Sequence, residues 1–518
     1  MIGSYDLLIE ARSVITHYEL SSAMLKLSLK HVYYIFIVAS IAMVMGRIAV
    51  IEDFRAIDLE QYRFQQAVNR KVAIWKEMGL SNAEIEAKRI AYLEAAMPKL
   101  QTRRPTLSAN DRSRWALIRA LVEPDMRVPG APYAIDRVIA QRGWDTIDMV
   151  KHDGHLYSSK PPLLPTLQAG IYWLVVNTTG MTCAQYPFEC VRTVTALSHI
   201  PCLLVLFIMT ILIVEKLTDS PFARAFVVGS VCFGTYLTTF AVSLQNHLPA
   251  AAVVSVALYA IVKIVFEYKF NENPRFTWFY FLAGLFSAFA VVCELPALAF
   301  FAALALVCFV VDWKRALIGF LPGCLIVAAG YFGTNYAAHN TVIPPYAHRK
   351  AGENWYDYTY DRGDGVIRDS YWKHRVGVDR GEPSRIVYAF NVLVGHHGIF
   401  SLTPLWAFSV AGAVVWMLNW KSDPKLGLLG FFILSLTVIV IGFYIMRPLV
   451  DRNYGGITCA FRWSFWLIPL WLTALIPIAE RAKDNKWITA GLYAALFWSI
   501  LAASTALTNP WTHPWIFV

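Results

Sequence analysis

The chain has 518 residues, of which 57% are hydrophobic and 16% are charged, and its mean hydropathy is +0.46. A soluble domain of this size would carry about a quarter charged residues, so the composition excludes an ordinary soluble protein. The net charge of +10 does not indicate a nucleic-acid partner, because the basic residues are spread over many loops and form no single stripe. Anionic lipid head groups or a phosphate ligand account for them better.

Apolar runs of about 20 residues, the length that crosses a bilayer, recur along the chain. They predict an all-α polytopic membrane protein with about eleven transmembrane helices. The predicted spans are 32–51, 193–215, 221–243, 247–267, 276–293, 295–313, 316–336, 402–420, 425–446, 463–480 and 487–507. Residues 1–31 lack the apolar region and cleavage site of a signal peptide. We therefore expect a cytoplasmic amphipathic lead-in at 1–31 and one transmembrane domain at 32–518.

The segments between the predicted spans alternate in character. The short ones carry lysine or arginine, as cytoplasmic loops do under the positive-inside rule. The outer loops are then 52–192, 337–401 and 447–462. The apolar stretch 161–178 is short and contains Pro165 and Gly170, so we expect an interfacial or re-entrant helix there rather than a crossing. The predicted location is a bacterial cytoplasmic membrane, with the polar side of the protein facing outward.

Polar side chains gather on the predicted outer side, in these loops, at the start of the span 247–267 and in the turn between the spans 276–293 and 295–313. Such groups are costly near the hydrocarbon unless they are paired or functional, and seven separate segments contribute them to one face. We therefore predict a single large site that faces outward. Its candidate residues are Asp111, Arg114, Lys160, Asn246, His247, Glu294, His348, Arg349, His396, His397, Tyr454 and Arg462.

Several common catalytic motifs are absent from the sequence. It contains no CxxC pair, no HExxH and no Walker-type glycine loop, so a zinc hydrolase and a nucleotide-driven pump lack support. Cys183 and Cys190 flank a short outer segment, where a disulfide would survive in an oxidising compartment. Their spacing permits a bridge without requiring one.

Two stretches of the first outer loop carry a resemblance to a known family. One is Asp111-x-x-Arg114 on an amphipathic helix, and the other is Gly154-x-x-Tyr157-Ser-Ser-Lys160-Pro-Pro-Leu. With the later outer NYGG and Arg462-Trp463, they resemble the C-type glycosyltransferases, which are multi-spanning and use lipid-linked sugars. The branch that looks most similar contains bacterial aminoarabinose–lipid A transferases and relatives of protein O-mannosyltransferases. The topology of most of the chain agrees with this resemblance, but the sharp motifs cover only about thirty residues.

The resemblance implies a transferase that moves a sugar from a polyprenyl-phosphate carrier to a lipid, glycan or protein acceptor at the outer face. It assigns Asp111 as the base that deprotonates the acceptor hydroxyl, and one base with direct displacement would invert the anomeric centre. Lys160 would neutralise the leaving phosphate, with Arg349 or Arg462 as a bidentate partner. Further substrate-binding residues would be Arg114, Tyr157, Asn246, His247, Glu294, His348, His396, His397 and Tyr454. Membrane lipids complete the expected partners; no cofactor is firmly implied, and a divalent cation stays open.

The chain departs from the family pattern at three places. The second acidic position is Arg112 here, and Asn246-His247-Leu248-Pro249 stands where many relatives have an aspartate before proline. An insertion at 52–106 separates the first span from Asp111, and it contains a helical stretch with Ser81 as the expected N-cap. These departures leave the acceptor and any metal dependence open.

The carboxylates have structural alternatives to a catalytic role. Asp111 could simply cap the helix that begins near Ser108. Asp53 and Asp58 compete for the role of base because they directly follow the first span, although they lack the D-x-x-R context. Glu294 could be a buried, hydrogen-bonded carboxylate in a turn or a sugar contact.

The basic residues have structural alternatives too. Lys160 could be an interface anchor whose ammonium reaches the water layer. His247 could be a core histidine with its hydrogen bonds satisfied. His396 and His397 invite a metal interpretation, but contact with the interface or with phosphate suits two adjacent histidines better.

A second class of function stays open, namely a polytopic transporter or flippase for a lipid-linked or anionic glycan. Transporters more often place charges at the bilayer midplane within interrupted helices, whereas the predicted spans are almost free of charge here. The long first loop, with its acid and its lysine, favours the enzyme.

Overall fold

The structure of the chain is a computed structural model that describes residues 29–51, 65, 68–69, 71–100, 104–267, 273–350 and 352–517. Most of the predicted lead-in, 1–28, lies outside the described residues. The competing carboxylates Asp53 and Asp58 lie outside them as well.

Most of the described residues are α-helical. The helices are α1 (Leu29–Ala49), α2 (71–77), α3 (Asn82–Leu100), α4 (Ala109–Val122), α5 (Asp136–Ala140), α6 (Leu163–Thr179), α7 (Pro187–Leu217), α8 (Pro221–Phe233), α9 (Tyr236–Phe240), α10 (His247–Glu267), α11 (Thr277–Cys293), α12 (Leu298–Arg315), α13 (Leu321–His339), α14 (Arg385–Leu393), α15 (Ile399–Leu402), α16 (Leu405–Leu418), α17 (Pro424–Ile445), α18 (Ile468–Ala474), α19 (Ile476–Arg481) and α20 (Lys486–Thr505).

The strands are short and form antiparallel pairs. They are β1 (Met149–His152) with β2 (His155–Ser158), β3 (Arg349–Lys350) with β4 (Glu353–Asn354), and β5 (Thr359–Tyr360) with β6 (Arg368–Asp369). Asp153 and Gly154 join β1 to β2 with positive φ angles of 49° and 82°. A two-residue turn of this kind suits an Asp-Gly pair and fixes the register, so that Met149 lies opposite Ser158.

Eight helices of the described part are long and apolar enough to cross a membrane, judged by length and composition. They are Leu29–Ala49, Pro187–Leu217, His247–Glu267, Pro274–Cys293, Leu295–His339, Pro424–Ile445, Arg462–Asp484 and Lys486–Thr505. The chain is therefore a polytopic helical membrane protein, as its composition predicts. The count of eleven crossings stays a prediction.

The long segment Leu295–His339 contains a break. The backbone of Asp312 is extended, with φ −155° and ψ 96°. Its carboxylate oxygen Oδ1 accepts from the backbone nitrogens of Lys314 and Arg315, at 3.0 and 3.1 Å, and so caps the helix that follows. The break falls close to the predicted boundary between spans 295–313 and 316–336.

Three of the predicted spans are shorter or interrupted. The span 221–243 is divided between α8 and α9 because Thr235 is extended, with φ −126° and ψ 148°. The span 402–420 contains the 14-residue helix α16. The span 463–480 is divided at Pro469 and Pro477, which lie in the first turns of α18 and α19, because proline has no N–H to donate within a helix.

The first predicted outer loop has a small hydrophobic core of its own. Trp115 and Ile118 of α4 are fully buried in it, together with Ile135 and with Tyr172 of α6. The core continues onto α7 through Val194, which anchors the loop to a long apolar helix. The loop is therefore a packed platform, and it holds α4 and the β1–β2 pair in place.

Two local predictions in this loop concern helix boundaries. Ser81 caps α3 as expected: its Oγ accepts from the backbone nitrogen of Glu84 at 3.4 Å, and its own backbone nitrogen donates to Glu84 Oε2 at 2.9 Å. This reciprocal arrangement is a capping box. The stretch 161–178 forms α6, which ends at Gly180 in a left-handed conformation with φ 73°. Whether α6 lies in the interface or re-enters the membrane stays a prediction.

Candidate functional site

A cavity of about 280 Å³ opens where the first outer loop meets the ends of several membrane helices. His247 begins α10, Glu294 directly follows α11, and Arg462 begins the segment Arg462–Asp484. The lining includes Asn110, Arg114, Asp148, Ser159, Lys160, Pro161, Leu164, Pro165, Asn246, His247, Glu294, Tyr346, Arg349, Tyr356, Trp372, Arg462 and Trp463. Seven predicted residues from six segments of the chain thus meet in one place: Arg114, Lys160, Asn246, His247, Glu294, Arg349 and Arg462.

Lys160 is held in the cavity by the platform of the first loop. Its ammonium nitrogen lies 3.2 Å from Asp148 Oδ2, and both side chains are largely buried. Ser113 of α4 donates to the Asp148 carbonyl at 2.5 Å, and Ser159 N donates to the same carbonyl at 3.2 Å. Burial lowers the pKa of Lys160, and Arg114 and Arg462 lower it further, while Asp148 opposes the shift. Lys160 is therefore a cation fixed in position among other cations.

Arg114 reaches the cavity from α4. Its Nη2 donates to Asn246 Oδ1 at 2.5 Å, and its Nη1 donates to the carbonyl and the side-chain oxygen of Asn110. Asn246 in turn donates to Glu294 Oε1 at 2.7 Å and to the carbonyl of Cys293 at 2.8 Å. Burial lowers the pKa of Arg114 to about 10. A chain of hydrogen bonds thus links the first loop to the ends of α10 and α11.

Arg462 lies at the other end of this series of hydrogen bonds. Its Nε and Nη2 donate to the carbonyl of Gly455 at 3.1 and 2.8 Å, and its Nη1 lies 2.6 Å from His247 Nε2. His247 Nδ1 hydrogen-bonds to Glu294 Oε1. Gly455 has φ +94°, and a Cβ there would lie 2.7 Å from Arg462 Nε, so glycine lets the backbone approach the guanidinium. Trp511 covers the guanidinium, with its ring centroid 4.9 Å from Cζ.

The charges that line the cavity do not balance. Four cationic residues, Arg114, Lys160, Arg349 and Arg462, face two carboxylates, Asp148 and Glu294. Lys160 is paired with Asp148, and Arg349 is paired with Asp451 at 3.2 Å. Among the described residues, neither Arg114 nor Arg462 forms an ion pair with a carboxylate, although both are over 90% buried. Their hydrogen-bond partners are neutral, and the carboxylates of Glu294 and Asp148 attract both guanidiniums from beyond ion-pair distance. With four cationic residues and two carboxylates in the lining, the cavity favours an anionic ligand.

The structure places Asp111, the predicted base, beside the cavity and not in its lining. Asp111 is 2% exposed and lies in the first turn of α4. Its backbone nitrogen donates to Ser108 Oγ at 3.0 Å, and its Oδ2 accepts from Leu107 N at 3.2 Å. Burial raises the pKa of this carboxyl to about 6, opposed by the hydrogen bond from Leu107 N, by Arg112 and Arg114 and by a hydrogen bond with Ser243. The N-cap of α4 is therefore Ser108, and Asp111 supports the start of the helix from its first turn. The catalytic role of Asp111 stays a prediction.

Two residues predicted to bind substrate lie away from the cavity lining, at the β1–β2 pair. The ring of Tyr157 stacks on His152, with ring centroids 4.2 Å apart, and the pKa of Tyr157 is raised to about 12 by burial. His348 stacks on Trp355 at 3.7 Å and hydrogen-bonds to Glu353 at 2.8 Å. Both rings are thus engaged in packing the loop.

His396, His397 and Tyr454 form a separate cluster that also lies outside the lining. His397 stacks on Tyr454 at 4.3 Å and hydrogen-bonds to the carbonyl of Thr458 at 3.0 Å. The Nδ1 atoms of the two histidines lie 2.5 Å apart. Among the described residues, no group of three or more His, Cys, Asp or Glu side chains could hold a metal ion.

Cys183 and Cys190 are both buried free thiols, and burial raises the pKa of Cys183.

Asp148 is the functional candidate that the sequence analysis missed. The feature of the sequence that could have identified Asp148 is the Asp153-Gly154 pair. This pair predicts a two-residue turn and therefore the register of β1 with β2. With Met149 opposite Ser158, Asp148 lies opposite Ser159 and next to Lys160. The cavity therefore contains a carboxylate beside the lysine that the motif identified.

Comparisons with known proteins add little to this geometry. No protein-family model and no curated protein sequence matches the chain. In solved structures, the chain is similar to the oligosaccharyltransferase of Archaeoglobus fulgidus, crystallised in complex with zinc and sulfate, with 13% sequence identity and a TM-score of 0.39. The match covers 79% of this chain and 54% of that protein, so the chain spans about half of its length. The resemblance to the C-type glycosyltransferases therefore rests on the motifs of the first predicted outer loop.

Proposed function

We propose that the chain is a membrane glycosyltransferase that moves a sugar from a polyprenyl-phosphate carrier to an acceptor at the outer face of the membrane. The observation that carries this proposal is the pair of buried guanidiniums of Arg114 and Arg462, which line one cavity without a carboxylate partner among the described residues. Arginine binds phosphate groups by bidentate, charge-assisted hydrogen bonds. The motifs of the first outer loop support the same assignment.

The reaction fits the charges in the cavity. The acceptor hydroxyl oxygen attacks the anomeric carbon, its bond to that carbon forms, and the bond from the carbon to the phosphate oxygen breaks. The polyprenyl phosphate leaves with an added negative charge, which Lys160, Arg114 and Arg462 stabilise. A carboxylate takes the proton of the acceptor. Asp111 is the base assigned by the motif, and Asp148 competes with it because Asp148 lines the cavity.

The position of the cavity favours this proposal over a transporter or flippase. His247, Glu294 and Arg462 lie at the ends of membrane helices, next to the packed platform of the first loop. A transporter would place its polar site near the bilayer midplane, in the middle of interrupted helices. A site at the helix ends is open to a carrier phosphate in the head-group layer and to an acceptor in water.

A donor-consumption assay tests the proposal. The purified full-length chain is incubated with a radiolabelled polyprenyl-phosphate hexose and a membrane lipid extract as the acceptor source, and release of polyprenyl phosphate is followed. We expect release by the wild type, strong loss in Arg462→Ala, and normal release in Arg137→Ala, a variant at an exposed arginine of the same loop. A donor that binds but is carried unchanged across proteoliposomes would contradict the proposal and favour a flippase.

A further inference from the structure

The guanidiniums of Arg114 and Arg462 are joined by a continuous bridge of hydrogen bonds. Arg114 Nη2 donates to Asn246 Oδ1 at 2.5 Å, and Asn246 Nδ2 donates to Glu294 Oε1 at 2.7 Å. His247 Nδ1 hydrogen-bonds to the same oxygen of Glu294, and His247 Nε2 lies 2.6 Å from Arg462 Nη1. Asn246 and His247 are adjacent at the start of α10, and Glu294 directly follows α11. Two helix ends thus hold the middle of the bridge, and a cation stands at each end.

The hydrogen bonds of this bridge have fixed directions. A guanidinium only donates, so Arg462 Nη1 donates and His247 Nε2 accepts. An imidazole that accepts at Nε2 carries its proton on Nδ1, and His247 donates that proton to Glu294 Oε1. In the same way, Asn246 presents its oxygen to Arg114 and its amide nitrogen to Glu294. Every link therefore pairs one donor with one acceptor, and the imidazole of His247 is neutral.

A phosphate accepts hydrogen bonds, so the donors that remain free in the bridge decide where it binds. Asn246 Nδ2 donates to Glu294 and to the carbonyl of Cys293 at 2.8 Å, which uses its N–H groups. His247 donates its ring proton to Glu294 and is 1% exposed. Each guanidinium, by contrast, carries more N–H groups than its three hydrogen bonds to described residues use. The free donors of the bridge thus lie at its two guanidinium ends.

A guanidinium that is held before the ligand arrives binds more tightly than a mobile one. Fixing a long side chain during binding costs about three- to tenfold in affinity. Arg462 is held from two sides, by the carbonyl of Gly455 and by His247, and its planar group keeps the orientation that a bidentate contact with phosphate needs. Arg114 is held in the same manner by Asn110 and Asn246.

We propose that Asn246, His247 and Glu294 are positioning residues for the phosphate of the carrier. Glu294 holds Asn246 and His247, Asn246 holds Arg114, and His247 holds Arg462. This inference rests on the proposed function, because it says how the same cavity prepares its cations for the phosphate. It replaces the direct substrate contacts that the sequence resemblance implies for Asn246 and His247.

Double-substitution cycles on the purified full-length chain test the proposal, with polyprenyl phosphate as the probe and its affinity taken from thermal stabilisation. His247→Asn keeps an amide N–H for Glu294 but is too short to reach Arg462. We expect it to weaken binding about three- to tenfold in the otherwise wild-type chain and in Arg114→Ala. In Arg462→Ala it should change the affinity by less than about twofold, because the group that it positions is already gone.

The other end of the bridge provides the mirror experiment. Asn246→Ala should weaken binding about three- to tenfold in the otherwise wild-type chain and in Arg462→Ala, and by less than about twofold in Arg114→Ala. Asn177→Ala, at an exposed asparagine of α6, is the matched control and should leave the affinity unchanged. If one of the two bridge variants does not fold, the cycle at the other end decides alone.

The outcomes separate this inference from the proposed function. Equal losses of affinity in the Arg114→Ala and Arg462→Ala backgrounds overturn the inference, since the substituted side chain would then contact the phosphate itself or serve the fold. A lower melting temperature with unchanged affinity also overturns it. No stabilisation of the wild type by polyprenyl phosphate overturns the proposed function, and the inference falls with it.

Discussion

Lys160 and Asp148 form an ion pair. In the proposed reaction Lys160 stabilises the leaving phosphate, and Asp148 is a candidate for the base. If the carrier phosphate binds beside Lys160, the ammonium is shared between Asp148 and the phosphate. Removing Lys160 alone leaves the Asp148 carboxylate buried without its cation, which costs stability as well as binding. The pair therefore has to be tested by single and double substitution.

Lys160→Ala should weaken binding of the polyprenyl-phosphate donor by about 1.5–3 kcal/mol, since one charge-assisted contact is lost. In Lys160→Ala/Asp148→Asn the orphaned carboxylate is gone, so the melting temperature should return toward that of the wild type while donor binding stays weak. Lys151→Ala is the matched control, because Lys151 lies on β1 of the same loop and its ammonium donates to the carbonyl of Thr359. Recovery of donor binding in the double variant would show that Lys160 serves only the fold.

Asp111→Asn separates a base from a helix cap. If Asp111 takes the acceptor proton, transfer should fall about a hundredfold or more, with donor binding unchanged. If Asp111 only caps α4, the asparagine oxygen still accepts from Leu107 N and transfer stays normal. Single-turnover rates of Asp111→Asn and Asp148→Asn, measured side by side, decide between them. Loss of transfer in Asp148→Asn alone would move the base to the carboxylate in the cavity.

The pKa of Asp111 predicts a pH dependence of stability. Burial raises this pKa to about 6, above its value in the unfolded chain, so the folded state holds the proton more tightly. The resulting stabilisation is complete below about pH 4 and is lost as the pH rises through about 6. Asp111→Asn should therefore melt at or above the wild-type temperature at pH 7, and its advantage should vanish at pH 4. A lower melting temperature of the variant at pH 7 would show that the ionised carboxylate stabilises the fold.

The sequence predicted most of the charged residues that meet, but it missed Asp148 and the neutral residues that join them. Arg114, Lys160, His247 and Arg462 were identified because polar groups near hydrocarbon are costly unless they are paired or functional. Ser159 and Trp372 also line the cavity, and they were missed because a serine or an aromatic ring in a loop is ordinary in a sequence. Tyr157, His348, His396, His397 and Tyr454 were placed in the site for their chemistry, yet their rings stack on neighbours outside it.

Glycines set how closely α11 packs on the segment that follows α12. A Cβ at Gly284 would lie 2.1 Å from the carbonyl oxygen of Phe320, and one at Gly323 would lie 2.6 Å from Leu285 N. Small residues of this kind let membrane helices approach closely, which is the main source of their attraction in lipid. This close contact fixes the position of α11 and therefore of Glu294, which directly follows that helix.

Gly284→Ala should lower the stability of the detergent-solubilised protein by about 1–3 kcal/mol, because the added methyl group collides with backbone. Gly333→Ala is the matched control, since nothing lies within 4 Å of a Cβ at that glycine on α13. Thermal melts of both variants provide the measurement. Equal melting temperatures would mean that α11 shifts without cost.

Hydropathy predicted the long helices well and their interruptions poorly. The helix α10 has the bounds 247–267 in both prediction and structure, because a buried apolar backbone must satisfy its hydrogen bonds within one helix. The break at Thr235 was missed because the segment is apolar as a whole, although Gly234, the C-cap of α8, is a residue type that often ends a helix. The mean hydropathy of a segment does not reveal such a single residue.

The whole-molecule claim is that the cavity faces outward. Val366 lies in the loop 337–401 and is 53% exposed, whereas Lys483 is exposed in a short basic connection on the other predicted side. In intact cells, Val366→Cys should react with a membrane-impermeant thiol reagent, and Lys483→Cys should react only after permeabilisation. The native cysteines are buried or half-buried, which keeps the background low. Labelling in the reverse order would turn the site to the cytoplasm and remove the outer-face acceptor.

The central claim is that the cavity between Arg114, Lys160 and Arg462 binds the phosphate of a lipid carrier. A cryo-electron microscopy map of the purified chain with bound polyprenyl phosphate tests it most directly. We predict phosphate density within hydrogen-bonding distance of Lys160 Nζ and of at least one of the two guanidiniums, with the lipid tail leaving between membrane helices. Phosphate density elsewhere on the molecule, with the cavity empty, would contradict the account.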